Sequence, residues 1–164
     1  MTTIRLTPHE LRHAVLIGAN RHLVAIEQGK KSNSKDPWGA HIRGAIAEMA
    51  VAKHLGRYWF GLEDTSPGPG RADIGESIQV RSTTTPNGHL PIYGRDPDDH
   101  VFILAHVDGL EVRLIGHTHG KNGKRDEWWR AQYKAYWVPQ DHLVPFERIS
   151  EFSQLRLSSA DPGP

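Results

Sequence analysis

Apolar residues recur at helical spacing twice along the chain, and after that at strand spacing. Leu11, Val15, Leu23 and Ile26, with Ala14, Ala19 and Ala25 between them, form a stripe that predicts a helix over residues 7–29. Its start is written in Thr7-Pro8-His9-Glu10. The Thr hydroxyl can take an orphan amide, the Glu three residues on can return the bond, and the Pro stands where no amide hydrogen is needed. Residues 29–37 are polar and read as a linker. Asp36-Pro37 opens a second helix over residues 38–55, and Gly56 closes it where a left-handed cap is wanted.

Beyond Gly56 the period shortens. A short aromatic strand follows Tyr58, then a loop over residues 63–70 with two prolines, a strand over 71–74 and a partner strand over 78–82. Residues 83–99, rich in Pro, Gly, Asn and Asp, are too long for a hairpin turn and make a candidate substrate loop. The continuous apolar run 101–107, the turn Asp108-Gly109 and residues 111–115 read as a hairpin. A basic glycine-containing loop comes next, then a short helix within 126–136, then Trp137-Val138-Pro139 as an edge strand ended by proline. Helices followed by mostly antiparallel strands predict an α/β (α+β) class with a mixed central sheet flanked by helices. The expected organisation is one domain over residues 1–157, with its core at 36–145 and a frayed tail at 158–164.

Composition narrows the chemistry. Cysteine is absent, which excludes disulfide frameworks and thiolate zinc sites. The N-terminal residues lack the basic and apolar blocks of a signal peptide, and no apolar run is long enough for a membrane span, so a cytoplasmic protein without a membrane partner is expected. The net charge of +1 does not by itself argue for a nucleic-acid partner. Two local clusters could reach phosphates: Arg21, Lys30, Lys31 and Lys35 after the first apolar segment, and Lys121, Lys124 and Arg125 in the basic loop.

One acid stands out on the second helix. Rotation by 100° per residue puts Gly44, Ala45, Val51, Ala52 and Leu55 within about 60° of Glu48, so its carboxylate faces inward and needs a cation or a paired base, such as an arginine. Asp73 precedes a turn at Gly75, Glu76 and Ser77, and Gln79-Val80-Arg81 follows. A three-residue turn makes Asp73 face Gln79, whereas a two-residue turn pairs it with Val80.

A helical Glu in Gly-Ala-Ile-Ala-Glu-Met-Ala, an Asp at a strand end and a Gln-Val-Arg in the next strand resemble the motif of the PD-(D/E)XK nuclease superfamily. The likeness spans residues 38–145 and includes the "Tyr-Trp-Val-Pro" segment. It implies a restriction-endonuclease-like fold, of a size that suits a phage or mobile-element protein, and a metal-dependent DNA endonuclease acting on duplex or branched DNA. It also implies that Asp73, the Gln79 side-chain oxygen and the Val80 carbonyl hold Mg²⁺ or Mn²⁺, with Glu48 bound directly or through water, as hard cations prefer oxygen. Two residues depart from the commoner pattern: Gln79 is neutral where an acid is usual, and Arg81 stands in place of Lys and cannot serve as a base. Those departures raise the alternative of a catalytically weak or inactive nuclease-fold protein that binds nucleic acid, either form being open to homodimerisation.

Two further readings compete. His100, His106, His117 and His119 lie on or beside expected strands and could serve a histidine-based metal hydrolase. Trp128, Trp129 and Trp137 could stack on unpaired bases.

Overall fold

The capping box forms as written: Thr7 Oγ1 accepts from the Glu10 amide at 3.2 Å and Glu10 Oε2 accepts from the Thr7 amide at 2.7 Å, which starts α1 (Pro8–Glu27). At the second helix, α2 (Pro37–Leu55), Asp36 Oδ1 accepts from the Gly39 amide at 2.9 Å, and Gly56 takes the left-handed conformation at φ 63°. In this computed structural model the described residues are 2–32, 34–61 and 71–146; the expected loop 63–70 and tail 158–164 lie outside them.

The two helices pack so closely that a Cβ on Gly18 would fall 2.5 Å from the Ile42 Cα. The inner face of α1 is Ala14, Gly18, His22 and Ala25. The apolar stripe expected on α1 is therefore split, with Leu11 and Val15 packed on the core while Leu23 and Ile26 are exposed.

The class is the expected one, mixed α+β, with a five-stranded mixed sheet. Its strands are β1 (Thr2–Arg5), β2 (Ile78–Thr83), β4 (Val101–Asp108), β5 (Glu111–His119) and β8 (Val144–Pro145). The order is β1-β5-β4-β2, with β8 sharing the outer edge of β5. β2 runs parallel to β4, and β4 and β5 form the expected hairpin, with a register shift between Leu104 and Ala105. A second sheet has the order β3-β7-β6, from β3 (Leu90–Tyr93), β7 (Ala135–Val138) and β6 (Trp129–Arg130).

β4 explains the layering. Val101, Ile103, Ala105 and Val107 face the helices, whereas Phe102 and Leu104 pack with Leu90, Ile92, Trp128, Val138 and Leu143 against the small sheet. A strand covered on both sides reads as an unbroken apolar run, as this one does.

Several local expectations need correction. β1 was not anticipated, and the expected substrate loop contains β3, because four-residue strands are too short to show alternation. The segment after Tyr58 is irregular, with Tyr58 and Phe60 exposed. The strand expected at 71–74 shrinks to one bridge between Ile74 and Ile78. The helix expected within 126–136 is two 3-10 turns with β6 between them. β7 lies in the middle of its sheet, not at the edge, since Pro139 follows the last paired residue instead of interrupting it. The basic loop begins as a single helical turn, α3 (Gly120–Gly123).

Candidate functional site

The Ile74–Ile78 bridge leaves Gly75, Glu76 and Ser77 as the turn, with Gly75 at φ 59°, so the turn has three residues and Asp73 stands opposite Gln79. Asp73 Oδ2 accepts the Val80 amide at 2.7 Å, which fixes the carboxylate at the edge of β2 that faces away from β4. Alternation sends Ile78 and Val80 into the helix-side core and Gln79 and Arg81 to the opposite face, where the Arg81 guanidinium carbon lies 5.4 Å from the Phe102 ring centre.

Arg81 gathers the oxygens. Its Nη1 lies 3.4 Å from Gln79 Oε1, 3.3 Å from the Val80 carbonyl and 3.8 Å from Asp73 Oδ2, and its Nη2 donates to Asp96 at 3.2 Å. Asp96 also accepts the Tyr93 amide at 2.9 Å, tying the segment after β3 to the site. Gln79 Nε2 donates to the Arg71 carbonyl at 2.7 Å and approaches His100 Nδ1 at 3.3 Å, which leaves the amide oxygen turned toward Arg81.

Glu48 comes from the helix side and is buried. Arg21 grips it with two bonds of 2.6 and 2.7 Å, and the Trp59 indole adds a third at 3.0 Å. The inward acid thus meets an arginine. Arg21, grouped by sequence with the surface bases, is instead buried. Burial works against its charge, but the hydrogen bonds and charge of Glu48 outweigh that and raise its pKa. Asp73 is pushed up to about 6, first by burial and then by the charge of Glu48, against the pull of Arg81, the Val80 amide and Arg21.

Asp73, Gln79 and the Val80 carbonyl therefore come together at the sheet edge, with Glu48 felt there as charge while its own oxygens are bonded to Arg21 and Trp59. Asp73 Oδ2, Gln79 Oε1 and the Val80 carbonyl are hard oxygen donors already turned to one cationic nitrogen, a donor set that suits Mg²⁺ or Mn²⁺. Among the described residues no three His, Cys, Asp or Glu side chains form a metal-holding group. The histidines are dispersed: His100 meets Gln79, His106 Nε2 meets the Thr84 carbonyl, and His117 is buried against Phe146.

Of the basic-loop residues, Lys124 is drawn inward, donating to the Gly94 and Asp96 carbonyls and to Asp98 at 2.7 Å, so it braces the chain there. Lys121 is exposed, as are Lys30 and Lys31, and Arg125 lies over the Trp128 ring. Trp128 is buried, Trp137 stacks on Tyr133 at 4.5 Å, and Trp129 is 40 % exposed. Trp59 and Asp96 do not stand out in the sequence, and Arg21 stands out there only as a member of a basic cluster. The signal for Arg21's inward position is its helical phase near Ala14, Gly18 and Ala25. Compared with family models, curated proteins and solved structures, the chain matches none.

Proposed function

We propose that this protein is a metal-dependent phosphodiester hydrolase acting on DNA, with its centre at the edge of β2 that faces away from β4. The observation that carries the reading is the convergence of Asp73 Oδ2, Gln79 Oε1 and the Val80 carbonyl within 3.8 Å of one Arg81 nitrogen. Those three oxygens would hold the ion. When bound, Mg²⁺ or Mn²⁺ supplies Lewis acidity and a more acidic water for attack on the phosphodiester.

The chain's own groups do the rest. Asp73 is held in place by the Val80 amide, and the Arg21–Glu48 pair sets its electrostatic surroundings. Arg81, always protonated and shaped as a fork, clamps a phosphate oxygen and stabilises charge there, and takes no proton. Exposed Lys121, Lys30 and Lys31 add the phosphate attraction that any DNA enzyme uses. In the test, supercoiled DNA is nicked by the wild type with Mg²⁺ or Mn²⁺, and Asp73→Ala, matched for folding by circular dichroism, abolishes nicking. Absence of cleavage with every divalent ion tried sinks the reading.

One observation favours a second reading, that of a module which binds nucleic acid without cutting. The site's acids are already answered by two arginines, Glu48 by Arg21 and Asp73 by Arg81. Under that reading the chain retains DNA in a gel-shift assay, with retention weakened by salt and unaffected by divalent ions.

A further inference from the structure

The outward face of α1 carries three large apolar side chains among its exposed polar residues His9, Arg12, His13, Asn20 and Glu27. Leu16 is 60 % exposed, Leu23 45 % and Ile26 55 %, and Trp38 at the start of α2 is 44 % exposed. The core-facing residues Ala14, Gly18 and Ala25 lie on the opposite side of the helix, so these leucines are not core residues displaced by a small rotation. Taking Leu16 as the origin, Arg12, Asn20, Leu23 and Glu27 all fall within about 40° of it. They make a narrow stripe, with Leu16 and Leu23 on either side of Asn20 and a charge at each end.

The stripe is complementary to itself when reversed. In an antiparallel pair related by a twofold axis between Ala19 and Asn20, Leu16 meets Leu23 of the other copy and Arg12 meets Glu27. The same operation brings Ile26 toward His13. The end charges fit this better than they fit their own helix. Glu27 is the last residue of α1, where the helix dipole disfavours an acid, and no basic residue occupies that last turn. Against a reversed partner, Glu27 faces both Arg12 and the positive end of the opposing helix.

We infer that α1 is the dimerisation helix of this protein, pairing antiparallel with α1 of a second copy through Leu16, Leu23 and the Arg12–Glu27 cross-pairs. The assignment stands apart from the catalytic reading and survives its failure. Sedimentation equilibrium of the full chain is expected to give twice its 18.4 kDa. Leu23→Lys, at an exposed position, is expected to give the monomer mass with an unchanged circular dichroism spectrum.

Arg12→Glu is expected to shift the equilibrium toward monomer, and adding Glu27→Arg to that variant to restore the dimer, because the swapped charges meet again only in the antiparallel register. A wild type that stays monomeric overturns the inference, as does a dimer indifferent to Leu23→Lys. Failure of the double variant to recover what Arg12→Glu loses overturns the register and the inference with it.

Discussion

The two flanks of the candidate site each set an arginine against an acid, and they do it differently. On the helix flank Arg21 and Glu48 make two parallel bonds of 2.6 and 2.7 Å, with side-chain exposures of 13 % and 7 %, and Trp59 takes a further carboxylate lone pair. On the sheet-edge flank Arg81 spreads over Gln79, Val80, Asp73 and Asp96 at 3.2 to 3.8 Å, none of them a two-bond pair. The helix flank is finished as it stands, and a ligand could improve on little there. The edge flank keeps oxygens with unspent capacity, so that is where an incoming cation or phosphate gains most.

The contrast breaks first at Glu48. Glu48→Ala leaves Arg21 buried without its partner and should cost about 3–5 kcal/mol in urea unfolding, whereas the double change to Arg21→Met and Glu48→Leu should recover most of that loss. A single-variant loss below about 1 kcal/mol would make the two flanks alike.

Next comes Arg81→Gln, which should destabilise by about 1 kcal/mol, since several long bonds are lost and none is a buried bidentate pair. The same variant removes the positive charge that holds Asp73 down, so the Asp73 carboxyl resonance should titrate at still higher pH by NMR.

A gentler effect concerns pH. Asp73 titrates near 6 in the folded chain against 3.8 for an ordinary aspartate. Between those values the native state holds the proton that the unfolded chain has lost, so the Asp73 contribution to stability is complete below about 4 and is lost as pH rises through 6. Asp73→Asn should remove this slope from a series of unfolding midpoints, and a slope unchanged in the variant would place the titration elsewhere.

The smallest change is a control. Arg5 and Glu111 meet at 3.2 Å, the same separation as Arg81 and Asp96, but with side chains 72 % and 57 % exposed. Glu111→Ala should cost only a few tenths of a kcal/mol, about the worth of a solvated ion pair.

Where local chemistry decides the structure, the sequence was sufficient. Thr7, Glu10, Asp36 and Gly56 announced both helices, and the small residues around Glu48 showed which way it points. The three-residue turn, which the sequence alone leaves open, is fixed by the Ile74–Ile78 bridge, and Gly75 supplies the positive φ it uses. What could not be read depends on distant partners. The bond from Trp59 to Glu48 and that from Asp96 to Arg81 join segments with no common periodicity. β1 and β3 are four-residue strands whose meaning lies in β5 and β7. Leu23 and Ile26 counted toward an inward stripe because apolar spacing alone does not distinguish a face that meets the core from one that meets something else.

The pairing of β1 with β5 sets Thr2 beside Leu114 and Arg5 beside Glu111. On a ribosome the first strand emerges long before its neighbour exists, and α1 and α2 are completed without a sheet to cover. The central layer therefore closes late, through contacts between residues far apart in the chain, a topology associated with slow folding. Until then the apolar faces that will clasp β4 stay open to water, and keeping them from other chains becomes a task for the cell rather than for this sequence.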